Sequence, residues 1–307
     1  MTDLSQQVDR QRLADAKRWV VKVGSALLTN DGKGLDTSIV QMLADQLASL
    51  RATGRDVVLV SSGAIVAGLA RLNLSERPHE IHLSQAAAAV GQSALVRAYE
   101  EYLSPHGVTT AQILLSHADV LARDRYLNAR STLSTLITMG VLPIVNENDT
   151  VVTDEIRVGD NDTLAALVAN LVDADALLIL TDQDGLMDSD PRQTDHATLI
   201  ESADVHDPDL DIVAGTSSAL GRGGMATKLS AARLAARSGT GTVIANGRLP
   251  DVIAQVTAGH PLGTFLHTRR QPQSARKQWL ASLLHAKGTL VLDEGAVRGV
   301  SEQGRSL

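Results

Sequence analysis

Trp19-Val20-Val21-Lys22-Val23 running into Gly24-Ser25, and Val57-Val58-Leu59-Val60 running into Ser61-Ser62-Gly63-Ala64, decide the fold class. Each is a short apolar run, rich in β-branched residues, that stops at small or polar ones. Between them Asp36 reads as an N-cap before the apolar positions Ile39, Val40, Leu43, Leu47 and Leu50, with Gly54 as the stop. A strand buried on both faces gives a near-continuous apolar run, so strand, helix, strand in this order predicts a βαβ unit with parallel neighbours.

The alternation continues outward. It predicts a buried helix over 84–103, a strand from Val108 to Leu115, a helix over 118–139 closed by Gly140, and a strand Leu142-Pro143-Ile144-Val145 that delivers Asn146-Glu147-Asn148-Asp149. Val151 to Val158 alternates weakly, as a surface hairpin would. Asn161 or Asp162 then caps a helix to about Val172, and Ala176 to Leu180 is an apolar strand ending at Thr181-Asp182. A Gly-rich stretch at 221–224 opens a helix through Lys228 to about Arg237, followed by strand Thr242 to Ala245 and helix Asp251 to Ala258. Residues 268–274 carry two Arg and a Pro without apolar periodicity and read as a linker, while Gly288 to Gly295 reads as a strand and turn.

The 307 residues are 44% hydrophobic and 21% charged, an ordinary globular composition. The absence of Cys excludes a disulfide scaffold, a thiolate zinc site and a cysteine nucleophile. A formal charge of −7 argues against a general nucleic-acid binder, and 2% aromatics leave few base-stacking platforms. No apolar run approaches the roughly 18–20 residues that span a bilayer, and residues 1–18 are polar, so the expected address is the cytoplasm.

Five polar or Gly-rich clusters fall after strands or at helix starts, where ligands collect in open α/β sheets. Lys22-Val23-Gly24-Ser25 sets a cation beside a turn without a Cβ, suited to phosphate oxygens. Ser61-Ser62-Gly63-Ala64 opens a helix whose free N–H groups suit a carboxylate or phosphate, although Ser is also a routine N-cap. Asn146, Glu147, Asn148 and Asp149, with Gly159, Asp160, Asn161 and Asp162, could bind a metal, hold an amino group or form turns; EF-hand spacing is absent. Gly221-Arg222-Gly223-Gly224-Met225-Ala226-Thr227-Lys228 has the ingredients of a polyphosphate cradle without being a P-loop, and its G-x-G-x-x-A pattern is weak for a dinucleotide. Two distant Lys, several carboxylates and two Gly-rich anion sites point to phosphoryl transfer, whereas acyl transfer lacks both a G-x-S-x-G elbow and H-E-x-x-H.

In this order the clusters resemble those of the amino-acid kinase family. The likeness runs through Val20-Val-Lys22-Val-Gly-Ser, Val60-Ser-Ser-Gly-Ala-Ile, Ala89-Val-Gly-Gln-Ser, Leu127-Asn-Ala-Arg130, Pro143-Ile-Val-Asn-Glu-Asn-Asp149, Val158-Gly-Asp-Asn-Asp162, Leu180-Thr-Asp-Gln183, Gly223-Gly-Met-Ala-Thr-Lys228 and Val291-Leu-Asp-Glu-Gly295. Within the family it favours members acting on glutamate over those acting on carbamate, aspartate, UMP or N-acetylglutamate. The resemblance implies a three-layer αβα sandwich with a central, mainly parallel sheet over residues 12–268. The N-terminal half would hold glutamate and the C-terminal half ATP; a linker over 269–285 and the start of a PUA-like module over 286–307 would follow.

It also implies ATP-dependent phosphorylation of the L-glutamate side-chain carboxylate by direct in-line transfer, the first step of proline biosynthesis, with Mg²⁺ held by the nucleotide phosphates. Lys22, Lys228 and Asp162 would be catalytic, with Asp160 as a further member of the network. Ser62, Gly63, Ala64, Asp149 and Asn161 would bind glutamate. Lys22, Gly24, Ser25, Thr181, Asp182, Arg222, Gly223, Gly224, Met225, Ala226, Thr227 and Lys228 would bind ATP. Arg222 and Ser61 depart from the family's usual residues. Inhibition by proline and a homo-oligomer, dimer or tetramer, are further expectations, with no membrane and no nucleic acid as partner. The rival readings are a sibling kinase for another acid, a non-catalytic sensor, and an NAD-dependent oxidoreductase.

Overall fold

Alternation along the strands sets the architecture. In the computed structural model, which describes residues 10–29, 34–74, 76, 78–151, 161–189, 196–216, 224–268 and 293, eight strands form one sheet. They are β1 (Arg18–Val23), β2 (Asp56–Ser61), β3 (Thr110–Leu115), β4 (Leu142–Glu147), β5 (Ala176–Thr181), β6 (Ser202–Asp204), β7 (Gly241–Asn246) and β8 (Thr264–His267), in the order β3-β4-β2-β1-β5-β7-β8-β6. From β3 to β7 every neighbour is parallel; β8 runs antiparallel to β7 and parallel to β6.

Period-2 alternation divides the strand residues between two cores. Trp19, Val21, Val23, Val57, Leu59, Leu178 and Leu180 pack with helices Thr37–Ala52, Ile81–Leu103 and Val252–Thr257. Val20, Val58, Val60, Leu177, Ile179 and Ile244 pack with helices Arg123–Thr138, Asn161–Leu171 and Met225–Ala236 on the other face. Both faces are covered, which is why the strands read as unbroken apolar runs. This is the expected αβα sandwich.

The Asp36 cap is present, its carboxylate accepting from the backbone N–H of Ser38 and Ile39 at 3.1 and 3.3 Å. Several boundaries differ from the expectations. The long helix begins at Ile81, not 84, and β3 begins at Thr110, not Val108. The helix expected over 118–139 is two, His117–Leu121 and Arg123–Thr138. Ala122 between them is extended and serves as N-cap of the second, while Ser116 and Asp119 form a capping box at the start of the first. Neither Gly nor Pro marks the break, and Val120, Tyr126, Leu133 and Ile137 enter the same core on both sides of it, so the apolar spacing conceals it. Strands β6 and β8 and helix Asp209–Thr216 were not anticipated: strands of three and four residues are too short to show a period. Most of the expected 151–158 hairpin, the linker, and all of the C-terminal module except residue 293 lie outside the described residues.

Candidate active site

Lys22 occupies an even position on β1, so its side chain leaves the sheet on the face of Val20, the face covered by helices Asn161–Leu171 and Met225–Ala236. Those helices bring Asp162 and Lys228 to it. Lys22 Nζ lies 2.5 Å from Asp162 Oδ1, and Lys228 Nζ lies 3.2 Å from Asp162 Oδ2. All three are buried, Asp162 being 2% exposed. Burial works against ionisation of Asp162, but the two ammonium groups outweigh it and hold the carboxyl below the usual carboxylate range. Two buried ammonium groups converging on one carboxylate are the kind of fixed charges that can also stabilise an incoming anion. Thr227 Oγ also reaches Asp162 Oδ2, at 3.1 Å, and the carbonyl of Gly224 at 2.8 Å.

Glycines frame these cations. Gly24 and Gly224 are extended N-caps without a side-chain cap, so the backbone N–H groups at the start of helix Met225–Ala236 face outward from its first turn. A Cβ built on Gly24 would stand at ordinary contact distance, 3.7 Å, from Lys22 Nζ, so the backbone of this turn lies close to the ammonium. Thr181 closes β5 beside Asp182, its hydroxyl 3.1 Å from the Asp182 carboxylate.

Beside the cations a cavity of about 170 Å³ is lined by Ser25, Ser62, Gly63, Ala64, Asn146, Glu147, Asp149 and Asn161, with Ile65, Val66 and Leu69 as its apolar side. That is below the roughly 300–1,000 Å³ of sites for drug-sized ligands and suits a small polar molecule. Neighbouring residues of one helical turn serve the two places: Asp162 meets the lysines, while Asn161 Nδ2 donates to Ser62 Oγ at 2.7 Å and to Asn146 Oδ1 at 3.0 Å. Glu147 and Asp149 give this cavity carboxylates suited to an ammonium group.

The five residues expected at the glutamate site, Ser62, Gly63, Ala64, Asp149 and Asn161, all line this cavity. Ser25, expected at the nucleotide, lines it too. The residue capping helix Ala64–Arg71 is Gly63, at φ +101, rather than a serine. The Ser61 hydroxyl instead meets that of Tyr99 at 3.2 Å in the core. Asn161 and Asp162 belong to the first turn of their helix, with side chains engaged elsewhere. Arg222, Gly223 and Asp160 lie outside the described residues. Asn146 and Glu147, part of the Asn146–Asp149 cluster for which the sequence left metal, amino group and turn open, end β4 and line the cavity; the Thr227 contact to Asp162 was not foreseen.

The model of the amino acid kinase family matches residues 17–246. The glutamate 5-kinase of Pseudomonas aeruginosa (strain UCBPP-PA14) is 58% identical over 299 residues, 97% of this chain and 80% of that protein. That of Chromohalobacter salexigens is 57% identical over 303 residues, 99% of this chain and 80% of the relative. Among solved structures, UMP kinase from Bacillus anthracis superposes with a TM-score of 0.57 at 16% identity, covering 83% of this chain and 97% of that one, a likeness of fold alone. With a family model over most of its length and relatives this similar along nearly all of it, the chain belongs to the amino acid kinase family, in its glutamate 5-kinase branch.

Proposed function

We propose that the chain transfers the γ-phosphoryl group of ATP to the side-chain carboxylate of L-glutamate, forming L-glutamyl 5-phosphate at the entry to proline biosynthesis. The observation that carries this reading is the buried Lys22–Asp162–Lys228 cluster beside a small cavity with carboxylates, joined through consecutive residues of one helical turn. Glutamate would lie in the cavity with its ammonium toward Asp149 and its side-chain carboxylate toward the lysines. Ser62 and Asn161 would hold its oxygens. ATP would lie over Gly24, Thr181, Asp182 and the turn from Gly224 to Lys228. The closeness of the Gly24 turn to Lys22 Nζ supports this, since a phosphate lying over that turn would be within reach of the ammonium.

Phosphoryl transfer asks mainly for alignment and charge neutralisation. Lys22 and Lys228 would stabilise charge on the transferring group as it passes in line from nucleotide to carboxylate, and Asp162 would fix both ammonium groups without entering the reaction. Mg²⁺, carried on the nucleotide phosphates, would neutralise their oxygens. Proline, a smaller amino acid that shares the α-carboxylate and carries a secondary α-ammonium in its ring, would compete at or beside the cavity. A homo-oligomer accompanies this reading and is tested by light scattering. ADP release with L-glutamate, aspartate, N-acetylglutamate and UMP compared side by side tests the substrate. Turnover with glutamate alone, suppressed by proline, is expected; turnover with another acceptor would replace the substrate, and nucleotide binding without turnover would favour a sensor.

A further inference from the structure

The apolar side of the cavity is one short helix, Ala64–Arg71, whose Ala64, Ile65, Val66 and Leu69 face the ligand space. Eight residues are too few to hold a helix in place without tertiary contacts. Its contact is with helix Ile81–Leu103, and the two meet backbone to backbone. A Cβ built on Gly91 would fall 1.7 Å from the Ala64 carbonyl oxygen, and one on Gly68 would fall 1.7 Å from that of Ala87. Ala64 and Gly68 lie one turn apart on the short helix, as Ala87 and Gly91 do on the long one, so each helix receives the other's carbonyl in a glycine notch. The long helix is the fixed partner: Leu95, Tyr99 and Leu103 are fully buried in the core. Next to Gly91, Gln92 donates from Nε2 to the carbonyl of Glu147, another lining residue of the cavity, at 3.2 Å.

We infer that Gly91 is a positioning residue for the acceptor substrate: its missing side chain sets how closely the Gly63–Ala64 wall stands to the long helix, and so the shape of the cavity. The inference rests on the reading of that cavity as the glutamate site. Bringing the Gly91 contact out to the 3.0 Å that Cβ atoms keep needs about 1.3 Å of movement, and the eight-residue helix would take up more of it than the 23-residue one. Displacements near 1 Å at a site that aligns reactants cost up to about a hundredfold in rate. Ordering by the long helix acts on glutamate and leaves the nucleotide side, built on β5 and helix Met225–Ala236, in place.

The test is steady-state kinetics of Gly91→Ala and Gln92→Met, with melting temperature measured in parallel. Gly91→Ala is expected to raise KM for L-glutamate on the order of tenfold or more, with KM for ATP within about twofold of the unmodified chain. A purely structural role would lower the melting temperature and the active fraction but leave KM for glutamate unchanged, and that result would overturn the inference. If Gly91→Ala does not fold, Gln92→Met decides on the same readout: a several-fold rise in KM for glutamate supports positioning by the long helix, and an unchanged value overturns it. Absence of glutamate-dependent turnover in the unmodified chain would overturn the functional reading and this inference together. An unchanged KM in an otherwise active variant would overturn this inference alone.

Discussion

Asp162→Asn keeps the shape of the side chain and removes its charge, leaving two buried ammonium groups against a neutral amide. At an effective dielectric of about 20, unit charges attract by about 6–7 kcal/mol at 2.5 Å and about 5 kcal/mol at 3.2 Å. Desolvation of the ions, several kcal/mol each, takes back most of this. The net loss is then the roughly 3–5 kcal/mol of a broken buried pair. At about 2 °C per kcal/mol for a chain of this size, the melting temperature at pH 7 should fall by roughly 6–10 °C. The pH dependence has a definite sign. Because the folded-state pKa of Asp162 is depressed, its contribution is present above the unfolded-state value of about 4 and fades as pH falls through the lower folded value. The gap between parent and variant should therefore be full at neutral pH and close on acidification. Misaligned lysines should also lower kcat by about 10²–10³. Scanning calorimetry across pH and ADP release at pH 7 read both effects. A melting temperature within about 1 °C of the parent at pH 7 would refute the account of the cluster.

Lys228→Ala should lower kcat far more than it lowers the melting temperature, because the lost charge acts mainly in the transition state; equal turnover would remove Lys228 from that role. Gly63→Val forces a β-branched residue to φ +101, so about 1–3 kcal/mol of stability should go together with a raised KM for glutamate; unchanged melting and kinetics would contradict it. Ser116→Ala should cost about 1 kcal/mol through the capping box, with turnover unchanged, as chemical denaturation will show. Arg10, whose guanidinium donates to the carbonyls of Glu201, His260 and Gly263 at 2.7, 2.8 and 2.9 Å, ties the described N-terminal helical stretch to the far end of the sheet. Its replacement by Ala should cost roughly 2–4 kcal/mol in denaturant while the folded fraction keeps its KM values.

Most of the sheet was legible because a strand covered on both faces prints its burial directly into the sequence. The same period of two fixed the face of Lys22, but which helices cover that face depends on crossovers that alternation does not encode. Family motifs, not periodicity, therefore linked Lys22 to Asp162 and Lys228. The break at Ala122 was hidden because tertiary packing, not a helix-breaking residue, makes it. Serine capping at 61–64 was a sound local preference that lost to geometry: Gly63 takes the left-handed position, which frees Ser61 for Tyr99 and Ser62 for Asn161. Asn146 and Glu147 stood out as part of a polar cluster, but no role could be given to either, because metal, amino group and turn use the same residue types until the neighbouring strand ends are aligned beside them. Ser25 shows the opposite limit, since its neighbour Gly24 borders Lys22 while Ser25 itself lines the cavity with Ser62 and Asn161.

If the cavity presents a carboxylate to a phosphoryl group held by Lys22 and Lys228, the product is an acyl phosphate. Trapping with hydroxylamine during turnover with ATP, Mg²⁺ and L-glutamate measures this directly. Glutamyl hydroxamate should form in step with ADP and be lost in Lys228→Ala. ADP release without hydroxamate would contradict it.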